Sequence, residues 1–248
     1  MPDKGDFSKQ VVHIGLKTLI IVPCYNERET ITSLYHEICE KTPYDVIVVN
    51  DCSTDDSREV LLREKIPHLD LPLNLGIGGA VQTGYRYALY KGYDIAVQVD
   101  GDGQHDPGQV DQLVTPIESG EADLVIGSRY IGKEGFQSSV MRRFGIRFFK
   151  VLIYCLSGKV ITDATSGFRA ANRKTMKLFD IHYASDYPEP ESNILAIKNK
   201  LKVIEIPVTM CERQGGKSSI NALQPIYYMF KVSLGIIISS TIRSKIPE

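Results

Sequence analysis

The segment VQVDGDGQHDP, residues 97–107, places three carboxylates, an amide and an imidazole directly after a short apolar run. Asp100 and Asp102 are separated by one glycine, and Gln104 follows two positions later. Carboxylates this close repel one another, so a positive group should offset them. Two hard oxygen ligands at a strand end can hold Mg²⁺ or Mn²⁺ and leave coordination positions open for substrate phosphates. The alternative is a solvated acidic turn.

Other ligand-binding motifs are absent or poorly matched. A dinucleotide fingerprint should follow the first strand, but PCYNE (residues 23–27) stands there and the glycines of NLGIGGA (residues 74–80) come much later. The chain has no P-loop sequence and no GxSxG. An EF-hand needs glycine where His105 stands and glutamate where Asp111 stands. These mismatches argue against nicotinamide, flavin and calcium-loop chemistry.

The composition is that of an ordinary globular protein. The 248 residues are 43% hydrophobic and 24% charged, enough for one large α/β domain or two small ones. A net charge of −1 gives no overall attraction to nucleic acid, and we expect no such partner. The five cysteines are scattered without a CxxC pair, so we expect reduced thiols rather than disulfides or a zinc site. We expect neither a signal peptide nor a spanning helix.

Apolar runs alternate with helical periodicity through the first half of the chain. We expect strands at residues 18–22, 46–49, 66–73, 95–99 and 124–126, and helices after Asn26 as N-cap, at 55–64, at 79–90 and after Asp106 as N-cap. This alternation predicts a mainly parallel sheet covered by helices on both faces. Ligands bind outside the carboxyl ends of such strands, where the polar clusters 23–27, 50–56 and 100–106 fall.

The second half is less regular. We expect a helix at 138–156, a turn and strand within 163–173, a helix at 191–199, a strand at 202–209 and an apolar helix at 226–242. The helix at 138–156 carries an apolar stripe opposite its basic residues, the stripe being Met141, Phe144, Phe148, Leu152 and Cys155 and the basic side Arg143, Arg147 and Lys150. That pattern suits an anionic membrane surface, or equally a core helix with a solvated basic face. The last helix is too interrupted to span a membrane, and it could lie in the interface or dock on a small membrane protein.

Seven motifs occur in the order seen in family 2 glycosyltransferases of GT-A fold. They are PCYNE (23–27), VVNDCSTDDS (48–57), NLGIGGAVQTG (74–84), DGDGQHDP (100–107), GSRY (127–130), SGFRAANR (166–173) and RQGGKS (213–218). Within that family the chain resembles the polyprenyl-phosphate sugar transferases of the dolichol-phosphate mannose synthase type, over roughly residues 16–220.

The resemblance implies a fold and an activity. The fold is a GT-A, Rossmann-like α/β domain at residues 16–220, after a polar extension at 1–15 and before an apolar C-terminal helix at 221–248 that is associated with a membrane or a partner. The activity is metal-dependent transfer of a hexose from a nucleotide-diphosphate sugar to a polyprenyl phosphate, with inversion, at the inner face of the membrane on its cytoplasmic side. The donor base and the hexose stay open.

The resemblance also implies site residues. The nucleotide would be bound by Pro23, Tyr25, Glu27, Asp51, Gly78 and Gly79, with Asp51 on the base. Asp100 would face the donor sugar and nucleotide, and Asp100, Asp102 and Gln104 would hold Mn²⁺ or Mg²⁺. A catalytic group would comprise Asp100, Asp102, Arg129, Asp163 and Arg169.

The acceptor side leaves two enzymatic alternatives. A saccharide hydroxyl, as in surface polysaccharide synthesis, needs a general base, for which the candidates are Asp163, Glu189 and Glu191. A lipid phosphate is already ionised at neutral pH, since its second pKa is about 6, and it needs cations instead. The candidate cations lie in family-like motifs and are Arg129, Arg169, Arg213 and Lys217. A non-enzymatic alternative is a catalytically silent module that binds nucleotide sugars.

Overall fold

The computed structural model describes residues 15–131, 140–211 and 225–244. The strands are β1 (Thr18–Cys24), β2 (Asp45–Asn50), β3 (His68–Asp70), β4 (Ile95–Gln98), β5 (Leu124–Ser128), β6 (Arg169–Asn172) and β7 (Val203–Pro207). The helices are α1 (Ile31–Lys41), α2 (Ser57–Arg63), α3 (Gly76–Lys91), α4 (Val110–Glu118), α5 (Val140–Ser157), α6 (Arg173–Ile181), α7 (Pro188–Lys198) and α8 (Pro225–Ser239). A 3₁₀ turn, Pro107–Gln109, precedes α4.

The strands form one mixed sheet in the order β3-β2-β1-β4-β6-β5-β7. All pairs are parallel except those of β6, which runs antiparallel between β4 and β5. This confirms the predicted mainly parallel sheet. Because β6 runs the other way, its first residue meets the end of β4, and Arg169 lies opposite Gln98. This arrangement brings together two segments: the SGF turn, residues 166–168, which precedes β6, and the acidic loop, residues 99–106, which follows β4.

Two apolar layers cover the sheet, one on each face. Leu19 and Ile21 of β1 enter one layer, and Ile20 and Val22 enter the other, as the alternation of a strand requires. The first layer contains residues of α3, α5, α6, α7 and α8, and the second contains residues of α1, α2 and α4. The sheet edge that carries the polar loops is therefore held from both sides.

One predicted N-cap is wrong, one helix was not expected, and one predicted N-cap is confirmed. The predicted N-cap role of Asn26 is wrong, because α1 begins at Ile31 with Thr30 at the N-cap, while Asn26 adopts φ 58°. The helix α6 was not expected, although the side chain of Asn172 caps it by accepting from the Thr175 amide. Asp106 does cap its turn, since its carboxylate accepts from the Gly108 amide at 2.9 Å.

Helix α5 buries Phe149 and Ile153, each 0% exposed, and neither residue belongs to the predicted apolar stripe. Phe148 of the expected stripe is 40% exposed, and the neighbouring Arg147 also faces solvent. Val151 and Tyr154 extend the exposed side of the helix. Apolar and basic residues thus occur together on the outer side of α5.

Candidate active site

The carboxylate of Asp100 is held by the strand that precedes it and by the loop that follows. Gln98, the last residue of β4, is fully buried and donates from Nε2 to Asp100 Oδ1 at 2.9 Å. The amide of Asp100 donates to His105 Nδ1 at 3.0 Å. A Cβ atom on Gly167 would lie 2.7 Å from Asp100 Oδ2. The SGF turn therefore lies against Asp100, and a side chain at position 167 would force the Asp100 or Gln98 side chain to shift.

Asp102 lies in the same loop and is 7% exposed. Its Oδ1 atom accepts from the Gln104 amide at 3.0 Å, which tightens the loop. Among the residues that the structure describes, no three His, Cys, Asp or Glu side chains form a group that could hold a metal. Mg²⁺ is commonly bound by one or two carboxylates together with substrate phosphates. The carboxylates of Asp100 and Asp102 fit a metal shared with a diphosphate rather than a closed protein site.

The loops after β1 and β2 are joined by Asn26. Its Oδ1 atom accepts from the amides of Thr54 and Asp55 at 2.8 and 3.2 Å. The amide of Glu27 donates to Ser57 Oγ at 3.0 Å, and Thr30 Oγ1 donates to the Gly101 carbonyl at 3.0 Å. The three predicted polar clusters are therefore adjacent at the carboxyl edge of the sheet. Of the predicted nucleotide-binding residues, Pro23 is buried within β1, and Tyr25, which is 45% exposed, is the first residue of the loop that follows.

Asp51 and the glycines of α3 have contacts within the chain. Asp51 is 3% exposed and accepts from the Leu75 amide at 2.7 Å. Burial raises the pKa of Asp51, and the amides of Leu75 and Gly76 oppose this rise. The Gly78 amide donates to the Ser185 carbonyl at 2.9 Å. These contacts attach the start of α3 to β2 and to the segment before α7.

The two glycines predicted to line the nucleotide, Gly78 and Gly79, are tightly packed. A Cβ atom on Gly78 would lie 1.8 Å from the Ala184 carbonyl oxygen, and one on Gly79 would lie 2.4 Å from Leu75 Cβ. Contacts this short are not tolerated, so close packing of the chain already explains glycine at both positions.

Arg129, the residue after β5, forms a bidentate ion pair with Asp163. Nε and Nη2 of Arg129 each donate to Asp163 at 2.7 Å, and the Asp163 side chain is 0% exposed. Burial lowers the pKa of Arg129, but its hydrogen bonds and charge contact with Asp163 outweigh this and raise it. Glu205 of β7 in turn accepts from the amides of Thr162 and Asp163 at 2.7 and 2.8 Å. Both oxygens of Asp163 are thus occupied by Arg129.

Arg169 is the largest fully buried side chain among the described residues, at 0% exposure. Its Nε and Nη2 atoms donate to the Ser166 carbonyl at 3.2 and 2.6 Å, and Nη1 donates to Ser192 Oγ at 2.7 Å. The guanidinium therefore ties the SGF turn to α7. This geometry favours a positioning role over direct contact with an acceptor. The other two predicted acceptor cations, Arg213 and Lys217, lie outside the described residues.

The remaining two candidate bases differ in their surroundings. Glu191 faces α8, where a Cβ atom on Gly235 would lie 2.0 Å from its Oε1 atom. Glu189 lies at the start of α7, where the charge of Asp100 acts on it. Burial raises the pKa of Glu189 to about 7, Arg169 opposes the rise, and the charge of Asp100 adds to it. A carboxyl group with that pKa can exchange a proton near neutral pH.

Comparisons with known proteins identify the family of the chain. Residues 19–179 match the family model described as glycosyl transferase family 2. The chain belongs to this family. It is 30% identical over 230 residues to the polyprenol monophosphomannose synthase of Mycolicibacterium smegmatis, with 88% of this chain and 86% of the relative covered.

A second relative has a different sugar in its name. The UDP-N-acetylglucosamine–dolichyl-phosphate N-acetylglucosaminyltransferase of Methanococcus voltae is 29% identical over 209 residues, covering 76% of this chain and 83% of the relative. Glucosyl-3-phosphoglycerate synthase from Mycobacterium tuberculosis, solved with Mn²⁺, UDP-glucose and phosphoglyceric acid, superposes with a TM-score of 0.71 at 20% identity. The match covers 94% of this chain and 82% of that one. The predicted GT-A fold is confirmed.

Three residues with a role in the geometry of this family 2 glycosyltransferase were not among the predicted site residues. They are His105 and Gly167, which lie against Asp100, and Glu205, which accepts from the Asp163 amide. His105 and Gly167 lie inside recognised motifs, which is a usable signal. Glu205 had only a weaker one, a carboxylate in the otherwise apolar run Val203–Pro207.

Proposed function

We propose that this glycosyltransferase moves a hexose from a nucleotide-diphosphate sugar to a polyprenyl phosphate. The observation that carries the proposal is the Asp100–Asp102 pair at the carboxyl end of β4, next to the loops after β1 and β2. Both named relatives have a polyprenol or dolichyl phosphate in their names, and this chain covers more than four fifths of each. The sugars in those names differ, so the hexose and the base are left open.

Asp100, Asp102 and Gln104 would hold Mn²⁺ or Mg²⁺, which would stabilise the departing nucleoside diphosphate. A divalent ion bound together with the donor would offset the charge of these two carboxylates. Pro23, Tyr25, Glu27 and Asp51 would bind the nucleotide from the adjacent loops.

A phosphate acceptor is supported by the state of two candidate bases. Asp163 is occupied by Arg129, and Glu191 lies against α8. A phosphate oxygen needs no base, because it is already ionised at neutral pH. That oxygen would attack the anomeric carbon while the bond to the diphosphate oxygen breaks, and inversion follows from in-line attack. Arg213 and Lys217 would hold the acceptor phosphate, with Arg129 and Arg169 fixing the site around it.

A saccharide hydroxyl is the second candidate acceptor, and Glu189 is the observation that favours it. Its pKa, raised by burial to about 7 against the opposing charge of Arg169, suits a general base at neutral pH. The acceptor assay described below separates the two candidates.

Attachment to the membrane surface is part of the proposal. No helix among the described residues is both long and apolar enough to cross a membrane. Helix α5 and helix α8 pack together and leave large apolar side chains exposed, namely Phe148, Val151, Tyr154, Phe230, Leu234, Ile237 and Ile238. Apolar side chains beside exposed cations such as Arg147 and Arg243 suit the interface of an anionic bilayer. A small membrane protein remains a further proposed partner of this surface.

The test is transfer of labelled sugar from a panel of nucleotide sugars to a short polyprenyl phosphate with Mn²⁺ or Mg²⁺. The same lipid as a free alcohol and simple saccharides serve as competing acceptors. Transfer should need the phosphate and the metal, and Asp102→Ala should abolish it with the fold intact. Asp111→Asn is the control, because this carboxylate contacts only Tyr44 in the described bonds and lies on α4. Undiminished transfer in excess EDTA, or efficient transfer to saccharides alone, would contradict the proposal.

A further inference from the structure

His105 lies in the acidic loop after β4, and both nitrogens of its ring face Asp100. The side chain is 5% exposed. Nδ1 accepts from the Asp100 amide at 3.0 Å, so the proton of the neutral ring is on Nε2. Nε2 lies 3.6 Å from Asp100 Oδ2, on the side of the carboxylate. One ring thus contacts both the backbone and the side chain of the same aspartate.

The ring itself is fixed by neighbours from other parts of the chain. It stacks on Phe168 of the SGF turn, with ring centroids 4.8 Å apart and planes inclined by 16°. The backbone of His105 forms a bridge with Met210, and the Cys211 amide donates to the Gln104 carbonyl at 2.9 Å. Rotation of the imidazole away from Asp100 would break the stack and leave the half-buried amide of Asp100 without this acceptor.

The Asp100 carboxylate, whose side chain is 32% exposed, has two further neighbours within the chain. Gln98 Nε2 donates to Oδ1 at 2.9 Å, and the Gly167 backbone lies close to Oδ2. His105 is the third of these neighbours, with its Nε2 atom 3.6 Å from Oδ2. A carboxylate held in one rotamer can bind a metal and a donor without reorganising. Residues that contact metal ligands act by fixing the orientation of those ligands in this way.

We propose that His105 is a positioning residue for transfer, holding the backbone and carboxylate of Asp100 in the orientation that binds the metal and the donor. The inference rests on the proposed metal-dependent activity and adds a residue to it. Loss of a group that orients a metal ligand lowers metal affinity or activity by roughly 10–100-fold.

Two replacements of His105 separate its interactions. His105→Phe keeps an aromatic ring on Phe168 and removes both nitrogens. His105→Asn keeps an oxygen near the position of Nδ1 and removes the stack. We expect His105→Phe to raise the Mn²⁺ concentration for half-maximal activity by about 10-fold or more and to lower kcat. His105→Asn should fall between His105→Phe and the wild type, because it can still accept from the Asp100 amide.

Leu61→Ala is the control for a general loss of stability. Leu61 is buried on α2 and belongs to the same apolar layer as Phe168, on which His105 stacks. This variant should lower the unfolding temperature without changing the Mn²⁺ requirement. If His105→Phe and Leu61→Ala change the unfolding temperature and leave the Mn²⁺ requirement equally unaffected, His105 is only structural and the inference is wrong.

Two readouts do not depend on turnover. ¹⁵N NMR of the imidazole nitrogens, assigned by difference with His105→Phe, should show the Nε2–H tautomer, and an Nδ1–H tautomer would overturn the inference. Calorimetry with UDP and with GDP in the presence of Mn²⁺ should show about 10-fold weaker binding of the accepted nucleotide to His105→Phe. If the wild type binds a nucleotide but transfers no sugar to polyprenyl phosphate, the proposed function fails while these readouts still test His105.

Discussion

Asp163→Asn distinguishes a structural ion pair from a general base at the same residue. The Asp163 side chain is 0% exposed and receives two 2.7 Å hydrogen bonds from Arg129, whose own side chain is 12% exposed. The Asn variant keeps one oxygen but loses the charge, so the nearly buried guanidinium loses the carboxylate that accepts both of its 2.7 Å hydrogen bonds.

Removing one partner of a buried pair destabilises a protein by about 3–5 kcal/mol. Asn retains an acceptor, so we expect the lower figure, about 3 kcal/mol. In a domain of this size 1 kcal/mol shifts the unfolding temperature by about 2–4 °C, which gives a fall of roughly 6–12 °C. The double variant Arg129→Met/Asp163→Leu should recover most of that loss, because it removes both charges together.

The assay combines thermal unfolding of the single and double variants with the pH dependence of transfer by Asp163→Asn below its unfolding temperature. The basic limb of the profile should persist, since Asp163 takes no proton from the acceptor. An unfolding temperature within about 1 °C of the wild type, together with loss of that limb, would refute both the magnitude and the assignment.

Three further predictions concern packing, pH and the membrane. Gly78→Ala should lower the unfolding temperature, because its Cβ would lie 1.8 Å from the Ala184 carbonyl oxygen, whereas Gly108→Ala, 3.2 Å from a movable carboxylate, is the milder control. The pKa of Glu189 is raised by burial from 4.5 to about 7, although Arg169 opposes the rise, so the folded state binds its proton more tightly than the unfolded state. Its stabilising contribution is full below pH 4.5 and is lost as pH rises toward 7, by at most roughly 3 kcal/mol, so urea unfolding of Glu189→Gln should lack this decline. Flotation with anionic vesicles should weaken with salt and in the exposed variant Val151→Glu, and equal flotation of the variant and wild type at every salt concentration would contradict the α5 surface.

Much of the fold was predictable because local patterns determine it. The strands β1, β2 and β4 are short apolar runs that are buried on both faces, and each ends where polar residues begin. The direction of β6 was not predictable, since four residues carry no signal that separates parallel from antiparallel pairing. Helix α6 was missed because it is only nine residues long and follows β6 without a loop.

The site was predictable where its residues are neighbours in sequence. Asp100, Asp102 and Gln104 occupy one loop, so their common location follows from the motif alone. The pairing of Arg129 with Asp163 joins residues 34 positions apart and depends on the order of the strands. The sequence therefore identified both residues as candidates but could not show that each occupies the other.

The charges of the site bear on which residues can meet two anionic substrates. Arg129 is paired with Asp163, and all three donor atoms of Arg169 bind oxygens of the SGF turn and α7. Arg129 therefore neutralises Asp163, and Arg169 fixes the SGF turn against α7, so the hydrogen bonds of both arginines are directed to the chain. A donor diphosphate beside Asp100 and Asp102 then needs the divalent ion, and an acceptor phosphate needs cations from elsewhere. Within the proposed function that demand falls on Arg213 and Lys217 of the RQGGKS motif. That motif begins two residues after Cys211, whose amide donates to the Gln104 carbonyl in the acidic loop. One short stretch of sequence therefore joins the loop proposed for the metal to the cations proposed for the acceptor.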